Sequence, residues 1–294
     1  MKKILNARFM MITSMSIFGT IGPFVRNIHL PSGEIALYRA ILATLFIGAL
    51  FLVKRQKIDF VKIKKELPLL LISGIAMGIN WILLFQAYNY TTVTLATLSY
   101  YFAPVIITVL CPLLFKEKMT YRQLICFVMS TIGIVLITGI GAINSTSKNF
   151  IGILLGLGAA FLYASVILIN KFIKKTEGLD RTFLQFISAI IVLLPYVLFT
   201  DGVNVIDATY SELVCLLVVG LIHSGVAYCL YFSAVKQLPG QKTAILSYID
   251  PLVAVLSSVI ILKEEISLTQ ILGGVLILGF TLWNELSSEK NKLS

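Results

Sequence analysis

Charge is what this chain has least of. Asp, Glu, Lys and Arg make up 13% of its 294 residues, with 24 basic against 14 acidic. A soluble domain carries about twice that fraction, so an ordinary water-facing surface is excluded. Histidine occurs only twice, and Cys111, Cys126, Cys215 and Cys229 show neither CxxC spacing nor a histidine at a metal-ligand interval. Those cysteines read as small apolar fillers, and no metal site is expected. There is no Walker loop and no dinucleotide fingerprint after a strand, so ATP-driven pumping within this chain and a bound cofactor are not expected. HExxH, a serine nucleophile elbow and paired catalytic carboxylates are absent too. The chain is therefore read as no enzyme, with an intramembrane enzyme using Asp250 and His223 as a remote alternative.

What fills the sequence instead is apolar: 58% of residues are hydrophobic, and the mean hydropathy is +0.93. A hydrocarbon core of about 30 Å needs roughly 20 apolar residues per helix. Ten such runs are read near Arg8 to Ile28, Ser32 to Val53, Leu67 to Tyr88, Thr92 to Phe115 and Thr120 to Ile140, then Phe150 to Ile173, Leu179 to Thr200, Ser211 to Val235, Gly240 to Leu262 and Ser267 to Leu286. The runs are continuous rather than alternating, which favours helices over barrel strands. The expected fold is an all-α membrane protein of ten transmembrane helices. Lys2 and Lys3 before an apolar run resemble a signal peptide, but no small-residue cleavage site precedes the second run, so the run is read as the first helix.

Basic residues orient the chain, because cytoplasmic loops retain them. With the N-terminus inside, Arg26, Lys148 and Lys263 fall outside, Arg39 falls within a span, and every other lysine and arginine is cytoplasmic. The net charge of +10 is thus a topology signal and a fit to anionic lipid, with no nucleic-acid partner expected. Both termini are expected in the cytoplasm.

The ten runs repeat at a constant offset of 147 residues. Gly78 answers to Gly225, Phe85 to Phe232, Ala87 to Ala234, Tyr101 to Tyr248, Pro104 to Pro251, Glu117 to Glu264 and Gln123 to Gln270, all without a gap. Five helices per copy is an odd number, so the second copy enters the membrane inverted. Inverted repeats are a recurring architecture of secondary transporters, with the site near the midplane between the halves. Pro104 and Pro251, being symmetric, are the hinge candidates.

The stretch LPSGEIALYRAILA from Leu30 to Ala43, and the paired stretches around Pro104 with Lys116 and Glu117 and around Pro251 with Lys263 and Glu264, resemble the EamA-type members of the drug/metabolite transporter superfamily. The resemblance covers nearly the whole chain as two EamA-like repeats, residues 6–139 and 150–283. It implies ten helices around a central cavity, and export or exchange of small metabolites such as amino acids across the bacterial plasma membrane. One departure stands out: Tyr-Phe-Ala-Pro in the first half becomes Tyr-Ile-Asp-Pro in the second.

Asp250 is therefore not forced by the repeat, and it is the sharpest single feature. About ten residues into its span, it sits about 15 Å deep, where a carboxylate faces a cavity, pairs, or carries protons. His223 reaches a similar depth from the opposite direction, so the two could meet and exchange a proton. Arg39, some 10 Å from the outer surface, either clamps a substrate carboxylate or pairs structurally with Glu34 or Asp250. Trp81 and Tyr228 are repeat mates, as are Tyr101 and Tyr248; they should flank the pseudo-twofold axis as an aromatic wall suited to a planar or cationic ligand. Asn80 adds hydrogen-bonding capacity, while Tyr88, Tyr121 and Trp283 lie near span ends and read as interfacial. Gly74 with Gly78, and Gly152 with Gly156, have the spacing of close helix packing. The reading is a secondary-active transporter of amino acids or related metabolites, with protons as the candidate coupling ion, monomeric or homodimeric. A choline-like amine held by an aromatic cage and Asp250 is the alternative.

Overall fold

A backbone in lipid must close its own hydrogen bonds, and a continuous apolar run does so as a helix. The computed structural model describes residues 2–55, 63–115, 121–138, 148–176, 178–200, 202–235, 237–238, 246–247 and 249–290, and among them there is no strand. The helices are α1 (Lys2–Gly19), α2 (Ile21–Arg26), α3 (Ser32–Val53), α4 (Leu67–Tyr90), α5 (Val93–Tyr100), α6 (Ala103–Phe115), α7 (Tyr121–Thr138), α8 (Lys148–Asn170), α9 (Gly178–Phe199), α10 (Tyr210–Leu217), α11 (Ala227–Val235), α12 (Ile249–Leu262) and α13 (Leu268–Lys290). Among the described residues, Asn6–Arg26, Ser32–Val53, Leu67–Tyr90, Lys148–Asn170, Gly178–Phe199 and Tyr210–Ala234 are long and apolar enough to cross a membrane. Shorter apolar helical stretches occupy Val93–Ile107, Leu124–Gly133, Ile249–Leu262 and Leu268–Phe280. Leu45, Leu52, Ile72, Phe199, Leu252 and Ile260 face outward and exposed, a surface that suits lipid and would aggregate in water.

Three runs expected to be single helices are interrupted. The first breaks at Thr20, whose hydroxyl donates back to the Ile17 carbonyl at 2.8 Å. The fourth breaks at Tyr101 and Phe102, between α5 and α6. The eighth holds its line but changes winding, with a π-helix at Val218–Val226 between α10 and α11. Pro104 and Pro251 fall in the first turns of α6 and α12. A proline there forfeits no hydrogen bond, so the pair begins helices rather than kinking them midway.

Helix packing follows the repeat. Adding 147 to residue numbers carries α1 onto α8, α3 onto α9, α4 onto the π turn and α11, α6 onto α12, and α7 onto α13. Under that exchange the packing of α4 on α8 becomes that of α11 on α1, and α4 on α9 becomes the π turn on α3. Likewise α6 on α8 becomes α12 on α1, while α3 with α9 and α7 with α13 map onto themselves. The buried centre, with Ile47, Phe85, Phe186 and Leu193, lies among α3, α4 and α9. Small residues permit the closest crossings: a Cβ on Gly156 would meet Ser99 Cβ at 2.9 Å and Ala96 O at 3.0 Å. The glycine pairs Gly74–Gly78 and Gly152–Gly156 all pack within the molecule.

Carboxylates tie the ends of the bundle. At one end Glu34 accepts from the Asn204 and Val205 amides, both at 2.9 Å or less for its Oε1. Glu212 accepts from the His29 amide and the Thr209 amide, and Glu264 accepts from the Val93 and Thr94 amides. Arg26 donates to the Tyr88 and Thr91 carbonyls. At the other end Glu66 accepts from the amides of Lys174, Lys175 and Thr176. Burial pushes the Glu66 carboxyl up, but those hydrogen bonds outweigh it and hold the group below the usual carboxylate range. It stays a charged clasp between two connections at neutral pH.

Candidate substrate cavity

The interrupted helices surround a cavity of about 420 Å³ lined from both halves of the chain. That volume lies within the range of small-molecule sites. Met15, Phe18 and Gly19 enter from α1; Trp81 and Phe85 from α4; and Tyr228 and Phe232 from α11. The repeat mates Trp81 and Tyr228, and Phe85 and Phe232, thus meet around one space.

Asp250 lines it from the first turn of α12, in the same space as Tyr101 at the break between α5 and α6. Gly19 lets α1 approach there: a Cβ would lie 2.5 Å from the Asp250 carbonyl oxygen. Arg39 lines the cavity from α3 and is only 5% exposed. Its Nε donates to the Ser224 hydroxyl at 2.7 Å. Its guanidinium lies 4.4 Å from the centre of the Trp81 ring and 5.6 Å from that of Phe85, a cation–π seat strengthened by exclusion of water. No ion pair among the described residues joins Arg39 to Asp250.

Aromatic rings frame these two groups. Phe186 meets Trp81 edge-on at 5.5 Å and Tyr228 at 5.4 Å, bridging the repeat mates. Phe18 meets Tyr228 at 5.1 Å, and Tyr100 lies 5.2 Å from Tyr163. Asn80 also borders the cavity, but its amide donates to the Ala159 carbonyl and so joins α4 to α8. Asn170, Arg181 and Gln185 also line the cavity. Arg181 donates to the Thr176 and Ile173 carbonyls, closing the chain after α8.

Three expectations change. His223 does not line the cavity: its Nε2 lies 3.1 Å from Thr20 Oγ1 and its Nδ1 3.2 Å from the Val218 carbonyl, so the expected meeting with Asp250 is replaced by these partners. Glu34 is not the partner of Arg39, because loop amides at Asn204 and Val205 satisfy it. Tyr88, expected at the interface, is 3% exposed and borders the cavity; α4 runs on to Tyr90, deeper under the Arg26 contact. Tyr248 lies outside the described residues, as does the side chain of Pro104. Ser224 escaped the sequence reading, since nothing in a helical periodicity marks a serine that acts through a π turn.

The chain matches the EamA-like transporter family twice, over residues 5–139 and 150–284. A Bacillus subtilis protein named "Uncharacterized transporter YxxF" is 31% identical over 268 residues, covering 91% of this chain and 85% of that protein. An Archaeoglobus fulgidus protein named "Uncharacterized transporter" is 26% identical, covering 93% and 95%. A solved crystal structure shares the fold at a TM-score of 0.67 with 15% identity, covering 96% of this chain and 98% of that one. Apolar helices, a lined cavity and a match to the family in both halves converge: this chain is a multi-pass membrane transporter and belongs to the EamA-like transporter family, of the drug/metabolite transporter type.

Proposed function

We propose that the chain is a secondary-active transporter of small organic metabolites, amino acids or related compounds first, working by export or exchange. The observation that carries this reading is a cavity of about 420 Å³ between the halves, bordered by an arginine and a carboxylate not paired with each other. A zwitterion offers each a partner of opposite charge, and the apolar remainder of an amino acid suits the surrounding rings. Ten helices, as two inverted five-helix repeats with both termini in the cytoplasm, would give alternating access, each half rocking on the other. The helix breaks at Thr20 and at Tyr101–Phe102 are the places where such rocking can bend the chain at little cost. Asp250 is the candidate carrier of a coupled proton.

A second reading is favoured by the phenols around Asp250. Tyr100, Tyr101, Tyr163 and Tyr228 all line the space that Asp250 borders. An organic cation could be held by that carboxylate with ring faces about it. Counterflow decides between the two. Proteoliposomes loaded with an unlabelled amino acid should concentrate the same labelled compound transiently, with saturation. Counterflow of choline alone would select the amine reading, and flux without saturation or counterflow would describe a channel.

A further inference from the structure

The nine residues Val218–Val226 wind as a π-helix, whereas their repeat mates, residues 71–79, belong to the ordinary helix α4. π segments are rare and concentrate where function needs a side chain re-aimed. Here the wider winding brings residue n over the carbonyl of n−5. The Ser224 hydroxyl donates to Val219 O at 3.0 Å. With that hydrogen committed, the Ser224 oxygen is left to accept, and Arg39 Nε supplies the proton at 2.7 Å.

The same turn is pressed on α3, which carries Arg39. Gly220 abuts Leu42, and a Cβ on Gly225 would lie 2.8 Å from the Phe46 ring. Ser224 is 0% exposed, so no water competes for the bond. Arg39 is thereby fixed along its Nε edge by Ser224 and across its face by Trp81 and Phe85. Among the described residues its Nη nitrogens have no hydrogen-bond partner, and they are not sealed inside protein. Two parallel N–H donors on a planar cation fit the two oxygens of a carboxylate.

We propose that Ser224 is the positioning residue for Arg39, and that the free Nη edge of Arg39 receives a carboxylate of the transported solute. The assignment rests on the reading of this cavity as the transport site. It makes the π turn a specificity element: a solute without the oxyanion leaves a buried guanidinium unanswered.

The test uses the purified full chain, with thermal stabilisation titrated at neutral pH by each standard amino acid, by the matching methyl esters and by choline. The expected result is that at least one amino acid stabilises the protein and its ester does not. Ser224→Ala should move the titration midpoint about tenfold toward weaker binding, equivalent to ~1.4 kcal/mol. In an Arg39→Met background, Ser224→Ala should cause no further loss, which a merely structural serine would not obey. An unchanged midpoint in Ser224→Ala, or an equal loss with Arg39 absent, would overturn the positioning role and leave the transporter reading intact. Binding of esters or choline as tightly as amino acids would overturn the oxyanion assignment alone. Stabilisation by none of these probes would remove both this assignment and the proposed substrate class.

Discussion

Asp250→Asn is expected to reduce substrate flux by about 10- to 100-fold while leaving the folded protein intact. The asparagine keeps the volume, so packing at the first turn of α12 is preserved. What goes is the negative charge. A hydrogen bond to a charged partner is worth roughly 1.5–3 kcal/mol, and each 1.4 kcal/mol is a factor of ten. Flux into proteoliposomes, read beside an unfolding curve, separates the two effects. Unchanged flux in the variant would take Asp250 out of the site. If Asp250 carries the coupled proton, the variant's residual flux should also lose its dependence on a pH gradient.

Glu264→Ala is expected to open the end of the bundle that Glu264 closes. The carboxylate accepts from Val93 N at 2.8 Å, Thr94 N at 3.1 Å and Thr94 Oγ1 at 3.0 Å. These bonds cap the start of α5, where unpaired amides and the helix dipole both favour an anion. The preceding Lys263 is held at a φ of 54°, a left-handed conformation that costs a non-glycine residue energy. The turn therefore depends on the bonds Glu264 makes. Removing three acceptor contacts from a partly buried group should cost roughly 2–4 kcal/mol, lowering the unfolding midpoint by about 5–10 °C. Glu264→Gln, which keeps one oxygen acceptor, should fall between. A midpoint unmoved by Glu264→Ala would show that water replaces the carboxylate freely and that the contact holds nothing together.

The bundle was legible in the sequence wherever lipid dictated it. The run from Ser32 to Val53 coincides with α3, and the 147-residue register of Phe85 with Phe232 reappears as two rings bordering one cavity. Arg39 and Asp250 could be picked out because a charged side chain at that depth is too costly to lack a purpose. Their partners could not. Glu34, one turn and a residue before Arg39, looked like its counter-ion, yet the Asn204 and Val205 amides had no helical partner of their own and took it. Position along a span does not fix the direction a ring points, and in the π turn the His223 ring meets Thr20 and Val218. That turn was itself hidden. In a run apolar on every face, a winding of 3.6 residues and a wider one leave the same pattern of hydrophobic residues.

Two-sided access to the cavity is the most direct test. Met77 borders it from α4 and is 8% exposed. A single cysteine there, in a chain whose four native cysteines are replaced by alanine, can be challenged in oriented vesicles with a membrane-impermeant thiol reagent from either face. Slow labelling is expected from both faces, with protection from both by a transported solute. Labelling from one face only, indifferent to every solute that the protein moves, would contradict two-sided access.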